Sequence, residues 1–398
     1  MHLSARARAM APSPTMAIDA KSKQMLAEGI DVVNFSVGEP DFDTPEHIKR
    51  AGIAAIEKGF TKYTPAAGTL ELRKAICEKL RKDNGLEYKP EQIVVSNGAK
   101  QSLYNAYQVL LDPGDEVIIQ APYWVSYPEI VKLAGGVPVV VKTDESTGFK
   151  MTAAQLKAAI TPRTRAINLN SPSNPTGAVY TKAELEAIAE IAVERQLLVI
   201  TDEMYEKLLY DGAEHHSIAA FGPEIKKLTI TVNGMSKAFA MTGWRMGYSA
   251  SETLYAKAMG DLQSQSTSGP SSISQKAALQ ALLGDQGPVE AMRREFDARR
   301  QHMMERLNRI PGFAVKVAPQ GAFYLFPNVK ALFGRTIRGR LIQNSDDLGT
   351  LILDEAKVGV VPGSGFGADD YIRFSYATSM ERIDEGLNRI EALLREAF

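Results

Sequence analysis

The 398-residue chain has one cysteine, Cys77, so no intrachain disulfide can brace it. Cys77 falls in an amphipathic helical pattern with no basic partner nearby, which reads as a small core residue rather than a nucleophile. Net charge is also scarce: −1 at pH 7, from 46 basic and 47 acidic residues. Nucleic acids and acidic membranes select for basic surfaces, so neither is expected as the main partner. No apolar run approaches the length of a membrane span. The stretch from Met1 to Met10 carries charge with no apolar segment behind it, so no secretory signal is expected and the expected location is cytoplasmic. The histidines (His2, His47, His215, His216 and His302) show no metal-ligand spacing, and no nucleophile–His–acid set is evident. Gly363-Ser-Gly-Phe-Gly367 resembles a dinucleotide loop, but a strand pattern follows it where that fingerprint needs a helix. There is no internal repeat and no low-complexity tract.

What is present is ordinary for a globular enzyme: 44% hydrophobic and 23% charged residues, in a chain long enough for two domains. Near the start, a polar arm, a helix around 17–28 and a short strand at 32–35 precede a turn-rich loop, Ser36-Val-Gly-Glu-Pro-Asp-Phe-Asp43. From about Gln92 strands alternate with helices, the pattern of a mostly parallel sheet covered on both faces, an α/β fold. Thr152-Ala-Ala-Gln155 and Thr181-Lys-Ala-Glu184 read as capping boxes that start helices. Residues 252–310 are helical in pattern, and the charge-laced 289–309 is long enough to bridge two domains. Residues 315–317, 322–326, 359–361 and 371–374 read as a smaller sheet. Phe333-Gly-Arg-Thr-Ile-Arg-Gly-Arg340 has no clear period and reads as a solvated loop, with a binding lid as the alternative.

The stretch 229–247 carries the chemistry. A β-branched run breaks at Asn233-Gly234, and Lys237 follows at once among Met235, Phe239, Met241 and Trp244. A lone Lys is ordinarily a surface charge. Among these neighbours it would lose hydration, which favours the neutral amine that attacks carbonyls and forms Schiff bases. Arg245, at the end of the same turn, suits a phosphate. A carbonyl-trapping Lys beside a phosphate-gripping Arg suggests pyridoxal 5'-phosphate.

That cofactor also needs an acid on its pyridine nitrogen, donors to its ring oxygen, a phosphate cup and an anchor for the substrate carboxylate. Each has a candidate at a strand or helix end, on the edge where open α/β sheets bind ligands. Asp202 ends an apolar strand; it is either a turn residue or the acid that keeps the ring nitrogen positive. Tyr205 and Asn174, the latter in the stiff loop Ser171-Pro-Ser-Asn-Pro-Thr-Gly177, can donate to the ring oxygen. Gly98-Ala99-Lys100 opens a helix after a strand, where free amides favour an anion. Trp124 can stack on a pyridine, or belong to the core. Arg373 interrupts an apolar strand and so forms either a structural ion pair or a bidentate grip on an α-carboxylate.

Ser236-Lys237 with Gly243-Trp-Arg245 resembles the cofactor-attachment signature of class I aminotransferases. The likeness to their bacterial aspartate aminotransferase subgroup extends over nearly the whole chain, through 37–42, 62–65, 173–177, 201–203 and 373–378. It implies fold type I: a large domain (46–285) with a mostly parallel seven-stranded sheet between helices, and a smaller α+β domain. Residues 1–45 would supply the N-terminal arm and part of the small domain, and 286–398 the bridging helix and the rest of it. It implies a homodimer with shared active sites, and amino acid and 2-oxo acid substrates. By this resemblance Lys237 is the Schiff-base residue, Asp202 meets the pyridine nitrogen, and Tyr205 and Asn174 meet the ring oxygen. Arg245, with Gly98, Ala99 and Lys100, takes the phosphate, joined by Tyr63 of a second subunit, and Ser236 also contacts the cofactor. Gly38, Trp124, Asn174 and Arg373 contact the amino acid. Prephenate-accepting relatives carry Lys where this chain has Ala11, and animal-type members carry Ser where it has Gly234. The expected reaction is transamination between L-aspartate and 2-oxoglutarate. An aromatic or broad-specificity aminotransferase and a carbon–sulfur lyase of the same fold share every cofactor residue.

Overall fold

The apolar β-branched runs assemble into one sheet: β1 Ile93–Asn97, β2 Glu116–Ala121, β3 Val137–Lys142, β4 Thr164–Asn170, β5 Leu198–Asp202, β6 Thr229–Gly234 and β7 Met246–Ala250. This computed structural model describes residues 2–4, 7–8, 10 and 14–395, so the expectation attached to Ala11 lies outside the described residues. The strands lie in the order β1-β7-β6-β5-β4-β2-β3. Neighbouring pairs from β6 through β3 are parallel, whereas β7 is antiparallel to both β1 and β6. The α/β class and the mostly parallel seven-stranded sheet are therefore as expected.

Side chains alternate across a strand, and β5 shows what that does to the core. Val199 packs with Leu156 and Ile188 beneath one face of the sheet, while Ile200 packs with Leu103 and Val131 on the other. Both predicted capping boxes form. The Thr152 hydroxyl accepts from the Gln155 amide at 3.2 Å while Gln155 Oε1 accepts from the Thr152 amide at 2.9 Å, and Thr181 and Glu184 repeat the pattern.

A second core joins the two ends of the chain. Val33 and Phe35 pack with Phe296, Phe323, Val358, Phe374 and Leu387. Val33–Asn34 pairs in parallel with Val358–Gly359, and Ile372–Ser375 lies between Val361–Pro362 and Tyr324–Leu325 in a three-stranded antiparallel sheet. Helix Gly287–Leu307 connects the two bodies. Val289 at its start sits in the core under the large sheet, and Phe296, Met303 and Leu307 sit in the small one.

Three expectations for this region need correction. Residues 315–317 form no strand: the Val315 amide donates to Asn308 Oδ1 at 2.7 Å, and only Ala314 makes an isolated bridge, to Asn328. The 359–361 run is two short strands, because the chain changes partner between Gly359 and Val361. The 333–340 segment is not an open loop. Thr336–Ile337 and Arg340–Leu341 form a hairpin whose corner residues, Arg338 and Gly339, have φ of 50° and 75°, and Ile337 is buried beneath it.

Among the described residues, no helix is long and apolar enough to cross a membrane. The fold also gathers three groups whose sequence spacing suggested nothing: Glu203, Glu206 and His215, with ligand atoms within 4.8 Å of one another. Lys79 ion-pairs with Glu206, Asn84 donates to it at 2.8 Å, and the Ser217 hydroxyl donates to Glu203 at 2.7 Å. His215 Nε2 lies 3.0 Å from Glu203 Oε2, and this buried polar network borders the start of the turn that carries Lys237.

Candidate active site

Strand ends and helix starts converge on a cavity of about 290 Å³ at the C-terminal edge of the parallel strands. β6 delivers Lys237 through the turn that follows it. The amine donates to the Gly38 carbonyl at 2.5 Å and lies 5.9 Å from the Phe323 ring centre. Burial lowers its pKa to about 8, against the pull of Glu39 and with help from the Arg373 and Arg245 charges. A neutral amine is thus accessible near physiological pH.

Asp202 is the last residue of β5 and is 6% exposed. One carboxylate oxygen accepts from the Tyr127 hydroxyl at 2.8 Å and the other from the Met204 amide at 3.1 Å. Burial still pushes its carboxyl up to about 6, because these donors only partly replace water.

The start of helix Ala99–Leu110 and the end of the Lys237 turn form one cup. Gly98 has φ of 83°, and a Cβ there would meet the Arg245 guanidinium at 2.5 Å. Arg245, itself at φ 54°, donates to the carbonyls of Thr242 at 2.9 Å and Asn97 at 3.3 Å, and no carboxylate pairs with it among the described residues. A free helix N-terminus and an Arg without an acid make an anion site. Ser236 is buried in the same wall. Lys100 reaches the cavity mouth, 4.8 Å over the ring of half-buried Trp124, again with no acid partner among the described residues. The side chain is exposed overall, but its amine loses water against the cavity wall, and that desolvation, followed by the Arg245 charge, lowers its pKa.

Arg373 has neutral acceptors and no ion pair among the described residues. It is 1% exposed on the strand Ile372–Ser375, and it donates to Asn174 Oδ1 at 2.9 Å and to the Ser36 carbonyl at 2.6 Å. Its Nε has no partner, and no carboxylate reaches it among the described residues, so it is not half of a structural ion pair. Burial lowers its pKa: its charge is met only by these two neutral acceptors and by the Tyr324 and Phe366 rings, 4.5 and 5.1 Å away, which leaves room for a ligand carboxylate. Since Asn174 Oδ1 is taken by Arg373, the Asn174 amide nitrogen is left to donate to a ligand. Tyr205 is buried, with its hydroxyl 2.8 Å from that of Tyr324.

Gly38, Ala99, Lys100, Trp124, Asn174, Asp202, Tyr205, Ser236, Lys237, Arg245 and Arg373 thus line one cavity, with Gly98 beneath Arg245. Tyr63 does not join them within one chain; it is 99% exposed. Reasoning from sequence missed Tyr127, Tyr324 and the Ser36 carbonyl, whose roles come from contacts across the fold that leave no local pattern. The donor set fits pyridoxal 5'-phosphate: an amine of lowered pKa, a buried acid facing no paired cation, and an anion cup.

Comparison with known proteins agrees. Residues 30–390 match the family "Aminotransferase class I and II". An aspartate aminotransferase of Bacillus sp. (strain YM-2) is 52% identical over 393 residues, covering 99% of each chain. A probable aspartate/prephenate aminotransferase of Aquifex aeolicus is 48% identical over 396 residues, covering 99% of each. The crystal structure of the aspartate aminotransferase from Rhizobium meliloti superposes with a TM-score of 0.95 at 45% identity, covering 99% of each chain. The chain belongs to the class I and II aminotransferases. It is a pyridoxal phosphate-dependent enzyme of that family.

Proposed function

We propose that the protein exchanges amino groups between L-aspartate and 2-oxoglutarate, giving oxaloacetate and L-glutamate. One observation carries the choice of dicarboxylates. Besides Lys237, the cavity holds three cations, Arg245, Arg373 and Lys100, that have no acid partner among the described residues. A phosphate takes one and an α-carboxylate a second. The third suits a second carboxylate, so Lys100, grouped by the sequence reading with the phosphate cup, is here the side-chain carboxylate contact. The names of the relatives support the same reading.

When bound, pyridoxal 5'-phosphate supplies an aldehyde that takes up the amino group and a ring that accepts electrons from Cα. Arg245, Ser236 and the backbone at Gly98 and Ala99 would hold its phosphate, Asp202 its ring nitrogen, Asn174 and Tyr205 its ring oxygen, and Trp124 its face. Arg373 fixes the substrate α-carboxylate, with the Gly38 backbone beside it. Lys237 Nζ, released from its ground-state partner, takes the Cα proton and returns it on the cofactor side; its lowered pKa suits an amine that must be neutral to accept one.

The Lys237→Ala variant tests the assignment. It should fold and bind the cofactor while turnover falls to background; full activity in that variant would refute the role. Aromatic or prephenate-accepting activity is the alternative reading, and a steady-state screen of amino donors against 2-oxoglutarate separates the two. We infer a cytoplasmic homodimer, built from large domains (46–285) and small domains (1–45 with 286–398). Tyr63, standing in open water on one copy, suits contact with the phosphate site of another, and sedimentation of the purified protein tests the dimer.

A further inference from the structure

Asp202 is held by more than its place at the end of β5. Its carboxylate is buried, makes no ion pair among the described residues, and has one side-chain donor, the Tyr127 hydroxyl at 2.8 Å. The titratable groups that act on it are Lys237 and Glu203, with Tyr107 and Tyr205 on the flanking elements. Tyr127 lies in the first turn of helix Ser126–Leu133 and is fully enclosed. Its ring meets Trp124 edge-on, with centroids 5.3 Å apart and planes at 81°. The helix start therefore fixes both the ring that would cover the cofactor and the acid that would meet its nitrogen. For packing alone a Phe would serve as well. The hydroxyl adds a donor to a carboxylate that burial would otherwise drive toward its protonated form, and a protonated acid no longer attracts a positive ring nitrogen.

We propose that Tyr127 is a positioning residue for the cofactor, whose hydroxyl keeps Asp202 ionised and aimed at the pyridine nitrogen. The proposal rests on pyridoxal phosphate dependence and not on the choice of aspartate as donor.

The test is Tyr127→Phe, which keeps the ring and its contact with Trp124 and removes only the hydroxyl. Equilibrium dissociation constants are measured on apoenzyme by fluorescence titration, with pyridoxal 5'-phosphate and with its 1-deaza analogue, in which carbon replaces the ring nitrogen. Losing a hydrogen bond to a charged group should weaken binding of the natural cofactor on the order of tenfold. The analogue has no nitrogen for Asp202 to meet, so its binding should stay within about twofold of wild type. In an Asp202→Asn background, Tyr127→Phe should add no further loss for either compound. Equal weakening with both compounds, no weakening with either, or a further loss on top of Asp202→Asn each overturn the proposal. Wild-type protein that takes up neither compound would overturn the cofactor assignment along with it.

Discussion

Replacing Lys100 with Met removes one of the three unpaired cations while keeping most of the unbranched stem. Lys100 is exposed at the cavity mouth with its amine over Trp124. A solvent-exposed ion pair contributes roughly 0.2–1 kcal/mol, and a hydrogen bond to a charged group in drier surroundings about 1.5–3 kcal/mol. A substrate filling a cavity of about 290 Å³ displaces most of its water, so the contact falls between these limits. About 1–2 kcal/mol corresponds to roughly a 5- to 30-fold loss in kcat/KM. Aspartate and glutamate should suffer it, whereas alanine, which has no second carboxylate, should change by less than about twofold. Single-turnover reaction of the loaded enzyme with each donor reads the donor half-reaction by itself, apart from the acceptor 2-oxoglutarate, which is also a dicarboxylate. If alanine loses as much as aspartate, Lys100 serves the phosphate or Trp124, and the argument for dicarboxylates fails.

Arg373→Leu should lower kcat/KM for every amino donor by roughly 30- to 1000-fold, because all share the α-carboxylate. A loss confined to some amino donors would refute the α-carboxylate role. Lys79→Met leaves Glu206 buried without its cation and should cost about 3–5 kcal/mol at pH 7, read from urea unfolding. Burial works to raise the Glu206 pKa, but Lys79, with His215 and Asn84, outweighs it and holds it at about 2, below the ordinary 4.5. The stabilisation is therefore present above pH 4.5 and fades as pH falls toward 2, so the gap between variant and wild type should narrow in acid. Gly247→Ala would place a methyl against the backbone of Gly98 and Ala99; the purified variant should lose its yellow cofactor absorbance on gel filtration.

What was legible in the sequence was local. The central strands and both capping boxes depend on a few adjacent residues, and they form as read. Lys237, Asp202 and Arg373 were found because each breaks an apolar pattern where a charge is expensive. The small sheet was overread because its partners are set at long range: an Asn308 side chain takes the Val315 amide, and one run divides between two sheets. The hairpin at Thr336–Leu341 was missed because its corner is Arg338-Gly339 instead of the Asn-Gly pair that usually announces such a turn. Tyr127 and Tyr324 were invisible for a related reason. Their hydroxyls acquire meaning only from Asp202 and Tyr205, which are distant in the chain and adjacent in the fold.

The reversed strand β7 has a consequence for how the enzyme can vary. Because β7 runs against β6, the chain re-enters the sheet at the edge it has just left, and a single short turn carries both Lys237 and Arg245. Elsewhere, returning to that edge takes a helical crossover, whose length can drift while its strands keep register. Here an inserted or deleted residue would shift Lys237 and Arg245 together. Tolerance to insertion should therefore fall to a sharp minimum across residues 235–245, even though that segment contains no regular secondary structure.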